Sequence, residues 1–123
     1  MTFLPIDRVM SSASRAGKLR GVHLAIVTDN AEGADNPGGR VKVKFPWMNA
    51  DESTFFARIA LPMAGNERGT FFLPEVDDQL LVVFEHGEID KPVIIGAVWN
   101  NKQKAPETNE SGKNQTKLIK SRS

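Results

Sequence analysis

Turn-forming residues interrupt this chain too often for a long helix to run. Between residues 21 and 100, clusters of Gly, Pro, Asn and Asp recur at intervals of roughly 10–15 residues, a spacing that suits short strands. The segments between them are rich in β-branched and aromatic residues: 21–30 (GVHLAIVTDN), 40–45 (RVKVKF), 55–63 (FFARIALPM), 79–86 (QLLVVFEH) and 92–100 (PVIIGAVWN). The clearest is RVKVKF. Val41, Val43 and Phe45 alternate there with Arg40, Lys42 and Lys44, so a strand sends apolar groups one way and cations the other. Gly39 precedes it as a turn residue. Pro46 has no amide hydrogen for a ladder and ends or bends the strand before Trp47.

The same reading extends along the chain. Segment 55–63 places Phe55, Ala57, Ile59 and Leu61 on one face and Phe56, Arg58 and Ala60 on the other. Segment 70–78 (TFFLPEVDD) begins extended and is cut at Pro74. Segment 79–86 is apolar nearly throughout, which predicts a strand covered on both faces. GEIDK (87–91) reads as a hairpin-like turn, and Gly96 as a bulge or a site of close backbone approach. Five or six short strands expose sheet edges unless the sheet closes. The prediction is therefore all-β: a small closed barrel, either a five-stranded OB-fold (oligonucleotide-binding) barrel or an SH3-like one. The core is expected from 79–86 and 92–99 together with Phe45, Phe56, Phe71 and Ile59. An N-terminal lead-in (1–20), the barrel (21–100), a polar linker (101–115) and an extended tail (116–123) complete the predicted organisation.

Composition narrows the function. Over 123 residues, 40% are hydrophobic and 25% charged, the mixture of a globular protein. No apolar run approaches the ~18 residues of a membrane helix, and MTFLPIDRVM lacks the basic-then-apolar pattern of a secretory signal. Cytoplasmic synthesis is expected. The absence of cysteine excludes disulfides and thiolate metal sites.

The net charge of +1 conceals a division: residues 1–20 carry +3, residues 113–123 carry +4, and residues 21–112 hold eight basic against fourteen acidic side chains. A phosphate backbone selects a concentrated positive field on the binding body, and this body has the opposite sign. A single-stranded nucleic-acid module is the main alternative, with Phe45, Trp47, Phe55, Phe71 and Trp99 stacking bases and Arg40, Lys42 and Lys44 on phosphates. The solvated outer face of a barrel strand accounts for the same cations more economically.

Catalytic chemistry finds little support. His23 and His86 do not share a two-ligand spacing, and the EHG run at 85–87 reads as a turn. Asp51-Glu52 and Asp77-Asp78 are neighbours in loops, without the two contrasting environments an acid/base pair needs. GADNPGG lacks the Lys-Ser/Thr of a phosphate loop. No catalytic residue, cofactor or metal is predicted.

Four stretches taken together carry a resemblance: GRVKVKFPW, ARIALPMAG, RGTFFLPEVDDQLLVVFEHGEIDKPVIIGAVWN and the closing IKSRS. In order and spacing they resemble the OB-fold domain of VgrG spike proteins and phage baseplate assembly protein V. The signature positions are Gly39, Arg40, Pro46, Trp47, Pro74, Glu85, His86, Gly87, Pro92, Gly96 and Asn100. AIVTDN (25–30) fits that domain's first strand.

The resemblance implies a structural part in a contractile injection apparatus: a homotrimer joining tail-tube or hub proteins to a needle or tip. The needle, rather than this domain, would meet the target membrane, and no nucleic acid would be bound. It also implies that Lys117, Leu118, Ile119, Lys120 and Ser121 lie where the family enters its needle. Many members carry a large hub before the barrel and continue past SRS, so a stand-alone baseplate type, a fragment or a split component is expected. Such a chain is expected to trimerise weakly by itself and to hydrolyse no cell wall. An accessory domain of an enzyme is the third reading.

Overall fold

The computed structural model describes residues 18–33, 38–48 and 54–123. The lead-in through residue 17 and parts of the 31–39 and 48–54 loops lie outside the described residues. Among the described residues seven strands occur in chain order: β1 (His23–Asp29), β2 (Arg40–Lys44), β3 (Thr54–Ile59), β4 (Ala64–Gly65), β5 (Arg68–Gly69), β6 (Gln79–Phe84) and β7 (Pro92–Val98). Five close into a barrel in the order β1-β2-β3-β7-β6, and β4-β5 form a separate two-stranded ribbon. Among the described residues there is no α-helix; Glu85–Gly87 makes one 3-10 turn.

Neighbouring barrel strands run antiparallel except at one seam. There β3 and β7 pair in parallel through Arg58↔Val93 and Ile59↔Ile94. The register brings inward residues opposite one another: Ala25↔Leu80, Val27↔Val43, Val41↔Ala57 and Val82↔Ile94. All eight are buried, and with Phe45 and Phe84 they make the core. Burial alternates strictly along β2 and β6, as a sheet with one dry face requires. Two alanines among larger side chains let facing residues interdigitate inside a narrow barrel.

Gly96 sits beside a bulge. Leu81 pairs with Gly96 and Val82 with Ile94, so Ile95 is the extra residue on β7. The bulge reading holds; the close-approach reading does not, because an added Cβ at Gly96 would meet nothing within 4 Å.

Four expectations need correction. Phe71 is 72% exposed and outside the core, because 70–78 contains no strand to turn it inward. Phe56 points outward, since Phe55, Ala57 and Ile59 take the inner face of β3. Segment 79–86 is not covered on both faces: Leu80, Val82 and Phe84 are buried, whereas Leu81 and Val83 are half-buried. It also ends at Phe84, where His86 takes φ 53° and the chain turns. Segment 55–63 stops as a strand at Ile59, and residues 60–63 connect it to β4.

Candidate functional site

Of the signature residues, Pro74, Glu85, His86, Gly87, Pro92 and Asn100 lie near the two ends of β6, whereas Gly39 and Arg40 open β2 and Gly96 sits opposite Leu81 within β6. At its start, the 74–78 loop is tied to β1. Asp77 N–H donates to the Val27 carbonyl at 2.9 Å and Val27 N–H to the Asp78 carbonyl at 3.1 Å. Asn30 Nδ2 donates to the Pro74 carbonyl at 2.9 Å, and Glu75 N–H to Asp78 Oδ2 at 2.9 Å. Asn100 closes the neighbouring corner after β7. Its Oδ1 accepts from the Lys102 and Gln103 amides at 2.8 Å each, and its Nδ2 donates to Gln79 Oε1 at 3.0 Å. An Asn can do both jobs because it carries an acceptor and a donor on one plane.

At the other end of β6, Glu85 accepts the Arg58 guanidinium in an ion pair. The Glu85 amide donates to the Lys91 carbonyl at 3.0 Å, which returns the chain to Pro92. Pro92 is buried at the first position of β7, where a missing amide hydrogen is tolerated. Gly87 takes φ +74° and its carbonyl accepts from Leu19 N–H at 2.7 Å, so the turn anchors the segment entering β1. His86 is exposed. Pro46 and Trp47 form the turn after β2, with Met48 N–H donating to the Phe45 carbonyl at 3.0 Å.

Aromatic rings close this end of the barrel. Trp47 lies 5.3 Å from the Phe45 ring and 5.5 Å from His23, which in turn meets Phe84 edge-on at 5.2 Å. His23 Nε2 lies 2.8 Å from the Arg20 carbonyl, which can only accept, so that nitrogen carries the hydrogen. Both predicted histidines are thereby accounted for as turn or packing residues.

Gly39 (φ +72°) and Arg40 open β2. Arg40 Cζ and Lys42 Nζ lie 5.0 and 5.2 Å from the centroid of Phe56 on the outer face. Both cations thus face a ring of the protein's own outer surface; of the rings named as possible base-stacking groups, Trp47, Phe71 and Trp99 are exposed and Phe45 is buried. Among the described residues no group of three or more His, Cys, Asp and Glu is placed to hold a metal ion. Among the described residues no helix is long and apolar enough to cross a membrane.

The tail behaves differently from the barrel. Lys117 Nζ donates to the Asn114 carbonyl at 3.1 Å and Ser121 Oγ to the Ser123 carbonyl at 3.0 Å. Leu118 and Ile119 are exposed, and so are Lys120, Ser121 and Arg122, which line an open cleft with the start of β6 and the end of β7. Sequence reasoning missed this return. It did not name Phe72, which is exposed after the β4-β5 ribbon beside Phe71, a ring it had placed both in the core and among the possible stacking groups.

A five-stranded barrel in the order β1-β2-β3-β7-β6, closed by a short parallel seam, is an OB-fold. The family described as the type VI secretion system/phage-baseplate injector OB domain matches residues 23–99. The chain belongs to that family. The match begins at the first residue of β1 and ends one residue after β7.

Among curated relatives, the type VI secretion system spike protein VgrG3 of Vibrio cholerae is 35% identical over 72 residues, 55% of this chain and 7% of that protein. VgrG1a of Pseudomonas aeruginosa, also a type VI secretion system spike protein, is 35% identical over 72 residues, 55% of this chain and 11% of that protein. The actin cross-linking toxin VgrG1 of Vibrio cholerae is 32% identical over 84 residues, 65% of this chain and 8% of that protein. The similarity thus concerns a small part of each relative.

Proposed function

We propose that this chain is a non-catalytic structural component of the central spike or baseplate hub of a contractile injection apparatus. Its barrel joins a hub or tube above to a needle or tip below, as a homotrimer. The observation that carries this reading is the coincidence of the family match, residues 23–99, with the closed barrel, residues 23–98. The turns that the family resemblance singled out, at Pro46-Trp47, Glu85–Gly87 and Asn100, are those that close or anchor the barrel. A rigid cylinder with both ends decorated suits transmission of load between two partners.

In this reading the chain is made in the cytoplasm and assembled into a phage tail, secretion-system or extracellular particle. The segments 101–115 and 116–123 serve as linker and needle junction, and Lys117, Leu118, Ile119, Lys120 and Ser121 belong to that junction. No cofactor, metal or nucleic acid enters the role. In-frame deletion of residues 23–99 in the producing cell, followed by electron microscopy, tests it. Loss of assembled sheathed particles is expected; particles of normal form and number overturn the proposal.

A further inference from the structure

Three adjacent barrel strands carry an aliphatic patch on their outer side. Leu24 and Ile26 on β1, Leu81 and Val83 on β6, and Val93 and Ile95 on β7 alternate with the buried residues of their strands and so point away from the core. The register joins them: Leu24 pairs with Leu81, Leu81 with Gly96, and Val83 with Val93. Leu24 and Ile95 are 45% and 46% exposed. Charge appears at the borders, where Lys44 pairs with Ile26 and Arg58 with Val93. An apolar patch with a polar rim marks a contact surface. Gly96 leaves a notch within it. Its φ is not left-handed and an added Cβ would meet nothing within 4 Å, so neither the backbone nor the barrel's packing calls for glycine there.

A segment of matching chemistry is joined to the barrel beside this patch. Leu19 N–H donates to the Gly87 carbonyl at 2.7 Å, just past β6, and Leu19 packs against the core. Residues 1–17 are therefore tethered where β6 ends and β1 begins, at two of the three strands that carry the patch. Within them, segment 2–10 (TFLPIDRVM) holds Phe3, Leu4, Ile6, Val9 and Met10, and its two charges, Asp7 and Arg8, cancel. Residues 11–17 (SSASRAG) can span about 23 Å at roughly 3.3 Å each. The two outer strands of the patch, β1 and β7, lie only about 10 Å apart across β6. A tether this short presents the segment at an effective concentration near the millimolar range. A separate chain at micromolar concentration competes at a disadvantage of about a thousandfold.

We propose that the outer face of β1, β6 and β7 is a docking surface for segment 2–10 of the same chain. The apolar side chains of that segment cover Leu24, Leu81, Val83, Val93 and Ile95, and the notch at Gly96 gives them a recess that no barrel residue fills. The inference concerns one chain and goes beyond the assembly reading above.

A spin label tests it. The chain has no cysteine, so Thr2→Cys accepts a nitroxide at one position, beside the apolar residues and not among them. Methyl-labelled chains carrying the nitroxide are diluted into excess unlabelled parent, so that only contacts within one chain report. The methyl signals of Leu24, Leu81, Val83, Val93 and Ile95 are expected to lose about half or more of their intensity relative to the reduced label. Leu24→Lys combined with Ile95→Lys, both at exposed positions, is expected to abolish that loss at Leu81, Val83 and Val93. The unchanged shifts of the inward methyls of Leu80, Val82 and Ile94 check that the double variant keeps its barrel.

Patch methyls that keep full intensity overturn the inference, and so does a loss that survives the double substitution in a folded barrel. A loss that is present without dilution and disappears on dilution assigns the patch to a second copy and overturns it as well. Each of these outcomes leaves the assembly reading standing.

Discussion

Phe56 lies beneath two cations of the adjacent strand, with Arg40 Cζ 5.0 Å and Lys42 Nζ 5.2 Å from its ring centroid. Lys42 and Phe56 are register partners across β2 and β3, and so are Arg40 and Arg58. Two like charges directly opposite destabilise a sheet. Here the Arg58–Glu85 ion pair and the Phe56 ring supply counter-interactions on the same face. The basic strand is thus a locally balanced outer surface, and the apolar side of β2 faces the core.

That balance predicts weak interaction with nucleic acid. Fluorescence anisotropy with a labelled single-stranded oligonucleotide, at physiological salt, is expected to show no binding tighter than about 10⁻⁴ M, the weak end of non-specific association. Saturable, salt-sensitive binding in the micromolar range that disappears in Lys42→Glu contradicts it.

Core and surface aromatics are predicted to differ sharply. Phe45 is 1% exposed and its ring meets those of Trp47, Phe55 and Phe84 at 5.3 to 5.8 Å. Phe45→Ala is expected to destabilise by about 3–5 kcal/mol in urea unfolding. Phe71→Ala, at an exposed loop position, is expected to shift stability by no more than about 0.5 kcal/mol.

Two glycines are predicted to respond in opposite ways. Gly69 takes φ +147°, and an added Cβ would lie 2.5 Å from the Met63 carbonyl oxygen. Gly69→Ala is expected to cost about 1–3 kcal/mol through strain and displacement of the β4-β5 ribbon. An added Cβ at Gly96 would meet nothing within 4 Å, so Gly96→Ala is expected to stay within about 0.5 kcal/mol of the parent. Thermal unfolding of both variants checks the contrast.

The inner face of the barrel was legible because it depends on period two. Val41, Val43 and Phe45 go inward as the alternation of β2 requires, and Ala57 and Ile59 follow the same rule on β3. Phe71 broke the reading because an aromatic in an apolar run resembles core, yet its segment pairs with no strand and stays outside. The parallel β3-β7 seam joins two residues on each side and leaves no local signature. The β4-β5 ribbon is equally short. Of the site, the GEIDK turn was read from its own residues, whereas Glu85, His86, Pro92 and Asn100 were singled out by the family resemblance. The Arg122–Glu75 contact spans the whole stretch from the 74–78 loop to the tail, and no local pattern encodes it.

The most direct test of the structural role is quantitative mass spectrometry of contractile particles purified from the producing cell, with sheath and tube proteins as internal references. The chain is predicted to co-purify at one trimer per particle. Its absence from intact particles, or its recovery with cellular nucleic acid in their place, contradicts the account.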